Sequence, residues 1–145
     1  MQAANAARGG PAEGGGIEPG AVFTVDPSLV HLPTAINGPH RDQRWVLVVS
    51  CKGDCHQNYL PTVLVVVLSA QVQNFWASHD VLLRKGDGGT DRDCIAEGDT
   101  IFPILKADLR TGALRGTVFT SSLGQIRVRI GSVIGLAAHD PINPK

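Results

Sequence analysis

At 145 residues the chain is long enough for one domain with a sizeable core. Its 43% hydrophobic and 18% charged residues exclude disorder throughout. Thirteen Lys and Arg against thirteen Asp and Glu exclude nucleic-acid capture by a global field, so any such ligand needs a local groove with a few well-placed cations.

The opening stretch, MQAANAARGGPAEGGG, is too poor in large apolar groups to offset its ordering entropy, and residues 1–18 are expected as a flexible tail. It also lacks the apolar core of a signal peptide. No later stretch approaches the roughly 20 apolar residues of a bilayer span. Three cysteines form an odd set that suits a reducing compartment, so the expected location is cytoplasmic, with no membrane partner.

AVFTV (21–25) reads as a short strand stopped by Asp26-Pro27, and the Pro-, Gly- and His-rich stretch to His40 reads as a long loop. WVLVVS (45–50) and TVLVVVLS (62–69) are continuously apolar and β-branched, as strands buried on both faces or rolled into a small barrel are. HDVLL (79–83), DCIAE (93–97) and TIFPIL (100–105) are further short strands, with Pro103 predicting an edge or a bulge. Gly86, Gly88 and Gly89 mark a turn. At the C-terminus, Ile126, Val128 and Ile130 alternate with arginines as a strand would, while Leu123, Ile126, Ile130 and Val133 recur at helical spacing. Ser122 with Gln125 offers a capping box, which puts helix slightly ahead. The domain is expected over residues 19–138, with a short tail at 139–145.

Two places invite chemistry. CKGDCH (51–56) sets Cys51, Cys55 and His56 together, but structural zinc wants four ligands and no second pair exists, so the expectation is no metal and a polar hairpin loop. Arg44 opens the strand WVLVVS, where its side chain would stand at a barrel rim. Taken singly, Arg44 is by default a solvated strand-end cation, Ser69 a strand cap and Asp99 a turn former.

Their order along the chain is more specific. GAVFTVD, RWVLVVS, TVLVVVLS and DCIAEGDT follow one another as do G-E-I-W-x-V-D, R-P-V-L-V-[LV]-S, T-V-x-V-x-P-[IV]-T and D-S-V-V-x-x-D-Q in the PemK/MazF family of bacterial toxins. The resemblance runs from about Gly20 to Leu136. It implies a mainly β fold: a small antiparallel SH3-like barrel of the CcdB/PemK type with a C-terminal helix, forming a homodimer. It further implies a toxin held by a cognate antitoxin and acting, without cofactor or metal, as an endoribonuclease on single-stranded RNA. In that reaction the 2′-hydroxyl attacks phosphorus and leaves a 2′,3′-cyclic phosphate.

Arg44 then matches the family's active-site arginine, a planar clamp for phosphate. Ser69 matches its threonine with the hydroxyl kept, and Asp99 an aspartate used as base or for RNA. His40 is a further candidate because histidine titrates near neutral pH. Gln71, Phe75 and Trp76, after the third strand, are candidates for RNA contact through stacking on unpaired bases. The sequence departs from the family at Trp45 (proline), Glu97 (a cation in some members) and Thr100 (glutamine), and the loop 28–43 lacks G-x-E-Q. Two other functions fit a barrel of this kind: a gyrase-binding poison of the CcdB kind, and a catalytically silent binding module, which Glu97 favours.

Overall fold

The computed structural model describes residues 16–30 and 43–136; His40, residues 1–15 of the expected N-terminal tail and the whole expected tail 139–145 fall outside them. Six strands form one antiparallel sheet: β1 (Ala21–Val25), β2 (Arg44–Val48), β3 (Thr62–Ser69), β4 (Asp80–Leu83), β5 (Cys94–Leu105) and β6 (Ala113–Thr117). Their order across the sheet is β4-β5-β3-β2-β1-β6. Among the described residues three α-helices accompany the sheet: α1 (Lys52–His56), α2 (Lys106–Thr111) and α3 (Thr120–Val133).

The continuously apolar strands are explained by two cores, one on each sheet face. Val46, Val48, Val63, Val65 and Val67 join Phe23, Val25 and Leu109 on one side. Leu47, Val66, Leu68, Val81 and Ala96 meet Leu123, Ile126 and Ile130 of α3 on the other. Because side chains alternate along a strand, a run such as TVLVVVLS must be apolar at nearly every position to serve both. Ile17, inside the expected tail, is 1% exposed and packs into the first core.

The sheet curls into a half-barrel whose two edges are brought together by the glycine turn. A Cβ on Gly89, whose φ is +77°, would lie 2.1 Å from the Arg115 carbonyl oxygen of β6, so no other residue fits there without separating the two.

DCIAE and TIFPIL, expected as two strands, are halves of β5. Val67 pairs with Glu97 and Val65 with Phe102, so residues 98–101 bulge opposite Val66. The Thr100 hydroxyl stabilises this bulge, accepting from Val67 N at 2.9 Å and donating to Glu97 O at 2.7 Å. Pro103 pairs with Leu64 in the half of β5 beyond its pairing with β4, where the missing N–H costs no ladder bond.

CKGDCH is not a hairpin loop. It forms α1, with Cys55 buried in the first core. The ammonium of Lys106, itself 5% exposed, donates to the carbonyls of Asp54 (2.7 Å) and Gln57 (2.8 Å), satisfying the helix's C-terminal end. Among the described residues no three His, Cys, Asp or Glu side chains gather as metal ligands, and no helix is long and apolar enough to cross a membrane.

The C-terminal segment is helical, but its cap is not the Ser122–Gln125 box. The N-cap Phe119 has no side-chain cap bond; instead Asp87 in the glycine turn accepts from Phe119 N (2.8 Å) and from the Ser122 hydroxyl (2.6 Å). Arg127 then ties α3 to the end of β2 through the Val49 and Ser50 carbonyls at 3.0–3.2 Å.

Candidate active-site cleft

One end of the sheet opens into a cleft of about 760 Å³. Of the residues singled out from the sequence, Arg44, Ser69, Gln71, Trp76, Glu97 and Asp99 line it. Phe75 is half-exposed in the same loop but does not line the cleft.

Strand register explains the convergence. Arg44 is the first residue of β2, and because Trp45 pairs with Leu68, the next step of that register sets Arg44 opposite Ser69 of β3. Ser69 in turn pairs with Ile95 of β5, which puts Glu97 on its diagonal. Glu97 pairs directly with Asp80 of β4. Arg44 alternates with core residues Val46 and Val48, Ser69 with Val67 and Val65, so both stand at the rim of the first core. Four strands thus bring one row of polar side chains to one mouth.

Local bonds fix the individual groups. The Ser69 hydroxyl accepts from Gln71 N at 3.1 Å, which turns the chain out of β3 and leaves its O–H available as a donor. Trp76, 59% exposed, stacks on His79 with ring centroids 3.9 Å apart and 15° between planes. Its backbone N–H donates to the Asp80 carboxylate at 2.9 Å, which couples this aromatic pair to the floor of the cleft. Trp45 lies under Arg115, whose guanidinium carbon is 5.2 Å from the ring centroid.

The electrostatics are mixed. Burial, then the neighbouring charges of Asp80 and Asp99, push the Glu97 carboxyl up to about 7, with Arg44 pulling the other way. Burial and Asp99 also raise Asp80, against the Trp76 N–H and His79. Cys94, also at the cleft, is pushed up to about 12 by burial and nearby aspartates, so its thiol stays protonated and inert. A second cation at the rim, Arg92, is largely exposed and paired with the adjacent Asp91 at 3.2 Å.

Sequence reasoning missed Asp80 and Arg92. Asp80 is 5% exposed at the head of an apolar strand. Its importance comes only from standing opposite Glu97, and that register cannot be read from either segment alone. Asp99, expected in a turn between strands, sits instead in the bulge of β5.

No protein-family model matches the chain, and no curated protein matches it in sequence. Solved structures do. An endoribonuclease in complex with its cognate antitoxin from a mycobacterial species aligns with a TM-score of 0.60 at 18% identity, covering 86% of this chain and 98% of that one. MazF in a MazE–MazF complex from Deinococcus radiodurans aligns at 0.58 and 14% identity, over 83% of this chain and 96% of that one. MazF solved alone from the same organism aligns at 0.59 and 13% identity, over 81% and 96%. The chain has the MazF fold. The similarity takes in nearly the whole of each neighbour.

Proposed function

We propose that the chain is the toxin of a toxin–antitoxin pair, an endoribonuclease that cuts single-stranded RNA without a metal. The observation that carries this reading is the juxtaposition of Arg44 and Ser69 on adjacent strands of a MazF-like sheet, at the mouth of one cleft. In RNA cleavage by the neighbouring 2′-hydroxyl, charge builds on the non-bridging phosphoryl oxygens. A fixed cation and a hydroxyl donor aimed there lower the barrier. Arg44 supplies the planar, always-charged fork and Ser69 the hydroxyl.

Asp99 takes the 2′-hydroxyl proton as general base, and the 2′-oxygen closes onto phosphorus to give a 2′,3′-cyclic phosphate. Gln71 and the exposed face of Trp76 receive an unpaired base next to the scissile phosphate, with Phe75 on the outer side of the same loop. Partners follow from the same reading: an antitoxin whose acidic, disordered segment occupies the RNA groove, and a second copy of the chain. Val128, Ile134 and Leu136, exposed on and just after α3, supply apolar surface for the homodimer. Function is exerted in the cytoplasm, where messenger RNA is found.

A second reading has an observation of its own. Four carboxylates, Asp80, Asp91, Glu97 and Asp99, line the cleft that Arg44 shares, which favours a barrel that binds without cutting. Cleavage of single-stranded RNA in excess EDTA separates the two. Wild type should cut; Arg44→Ala should lose at least about 100-fold in rate, the cost of one transition-state donor. Ser69→Ala should be slowed and Ser69→Thr should retain cutting. Intact RNA with wild type, or full activity in Arg44→Ala, overturns the ribonuclease reading.

A further inference from the structure

Glu97 departs from the family pattern at the centre of the cleft, and its surroundings give it a specific chemistry. It pairs directly with Asp80 across β4 and β5, so the two carboxyls project from the same sheet face with Cβ atoms about 4.5–5.5 Å apart. Asp99 stands two residues further along β5, and both line the cleft. Carboxylates this close cannot all ionise cheaply, and one of them keeps its proton. The groups facing Glu97 are Asp80 from β4, Asp99 from its own strand and Arg44 from β2, and His79 lies against Asp80. The Trp76 N–H supports the ionised form of Asp80, whereas burial and the neighbouring charges of Asp80 and Asp99 push the Glu97 carboxyl up to about 7.

The reaction proposed above needs such a group. The leaving 5′-oxygen departs as a strongly basic alkoxide unless it is protonated. Arg44 cannot give up a proton at useful pH, and Ser69, on the diagonal, holds a hydroxyl far too weakly acidic. We propose that Glu97, as a neutral carboxylic acid, is the proton donor to the departing 5′-oxygen, a role that rests on the ribonuclease reading of the cleft. The 2′-hydroxyl proton passes to Asp99 and the 2′-oxygen bonds to phosphorus. The bond from phosphorus to the 5′-oxygen breaks with its electron pair on oxygen, which takes the Glu97 proton. Products are the cyclic phosphate and a 5′-hydroxyl; proton exchange with solvent restores both carboxyls. A glutamic acid in neutral form also removes the repulsion that an ionised one would exert on phosphate.

The test uses an oligoribonucleotide and its analogue with sulfur in place of the bridging 5′-oxygen, cut by the full chain in EDTA. A thiolate leaves without a proton. Glu97→Gln should therefore lose about 100- to 10,000-fold on the oxygen substrate and recover most of that on the sulfur substrate, whereas Arg44→Ala should lose on both. Asp80→Asn, which keeps the acceptor for Trp76 N–H and removes a facing charge, should move the alkaline limb of wild-type kcat/KM to lower pH. The proposal is overturned by equal losses of Glu97→Gln on both substrates, by near-wild-type cutting of the oxygen substrate, or by an unmoved limb in Asp80→Asn. Wild type that cuts neither substrate overturns the ribonuclease reading itself, and the assignment falls with it.

Discussion

A carboxyl that keeps its proton near neutral pH makes the folded state pH-dependent. Glu97 and Asp80 both titrate higher in the fold than in the unfolded chain. Their contribution is therefore fully present below the unfolded value, and it is lost as pH rises through the folded one. The melting temperature should fall between about pH 4.5 and pH 7. Circular-dichroism melts should show that slope in wild type and a flatter one in Glu97→Gln; an equal slope in both would refute the burial and like-charge account. Cysteines give a second residue-level contrast. Cys55 is 4% exposed and its thiol is pushed up to about 11 by burial, whereas Cys51 is exposed. Cys55→Ser should cost about 1–3 kcal/mol, because the shorter hydroxyl sits in a largely apolar core and reaches the Ser50 carbonyl, which the thiol contacts at 3.7 Å, less well, and Cys51→Ser almost nothing, measured by urea unfolding. Arg44 and Ser69 were singled out by the order of the strand motifs and not by their own segments, and the register sets them opposite each other. Asp80 was not, since one acidic residue before VLL carries no sign of what stands across the sheet.

The elements differ in how openly the sequence declares them. Strands β1 to β3 and helix α3 bury two-faced or one-faced apolar patterns, and these patterns survive into the fold. The edge strand β6 and the short helix α2 were missed. ALRGT is mostly exposed and holds its place through backbone pairing with β1, which leaves no hydrophobic periodicity to read. Strand β5 was read as two because EGDT has turn composition, and a bulge uses the same residues as a turn. The cap of α3 was misassigned for a related reason: its acceptor, Asp87, lies 32 residues upstream of the N–H it receives. Asp87→Ala should remove both bonds to the helix start and cost about 2 kcal/mol, read as a lower melting temperature with cleavage rates retained at 25 °C. Wild-type stability in that variant would show that Ser122 and Gln125 cap the helix after all.

At the scale of the molecule, order along the chain was more informative than any single motif. The succession GAVFTVD, RWVLVVS, TVLVVVLS, DCIAEGDT implied the MazF-like architecture found in the structure, although sequence identity to the solved neighbours is only 13–18%. A fold so defined leaves activity to the side chains at the mouth of the cleft, and there the balance lies between one clamp of arginine and serine and four lining carboxylates. The most direct measurement is the chemistry of the ends left on single-stranded RNA incubated with the full chain in excess EDTA, identified by mass spectrometry, with Arg44→Ala as control. The account predicts fragments ending in 2′,3′-cyclic phosphate and beginning with 5′-hydroxyl from wild type, and none from the variant. Intact RNA, or fragments with 3′-hydroxyl and 5′-phosphate ends, would contradict it.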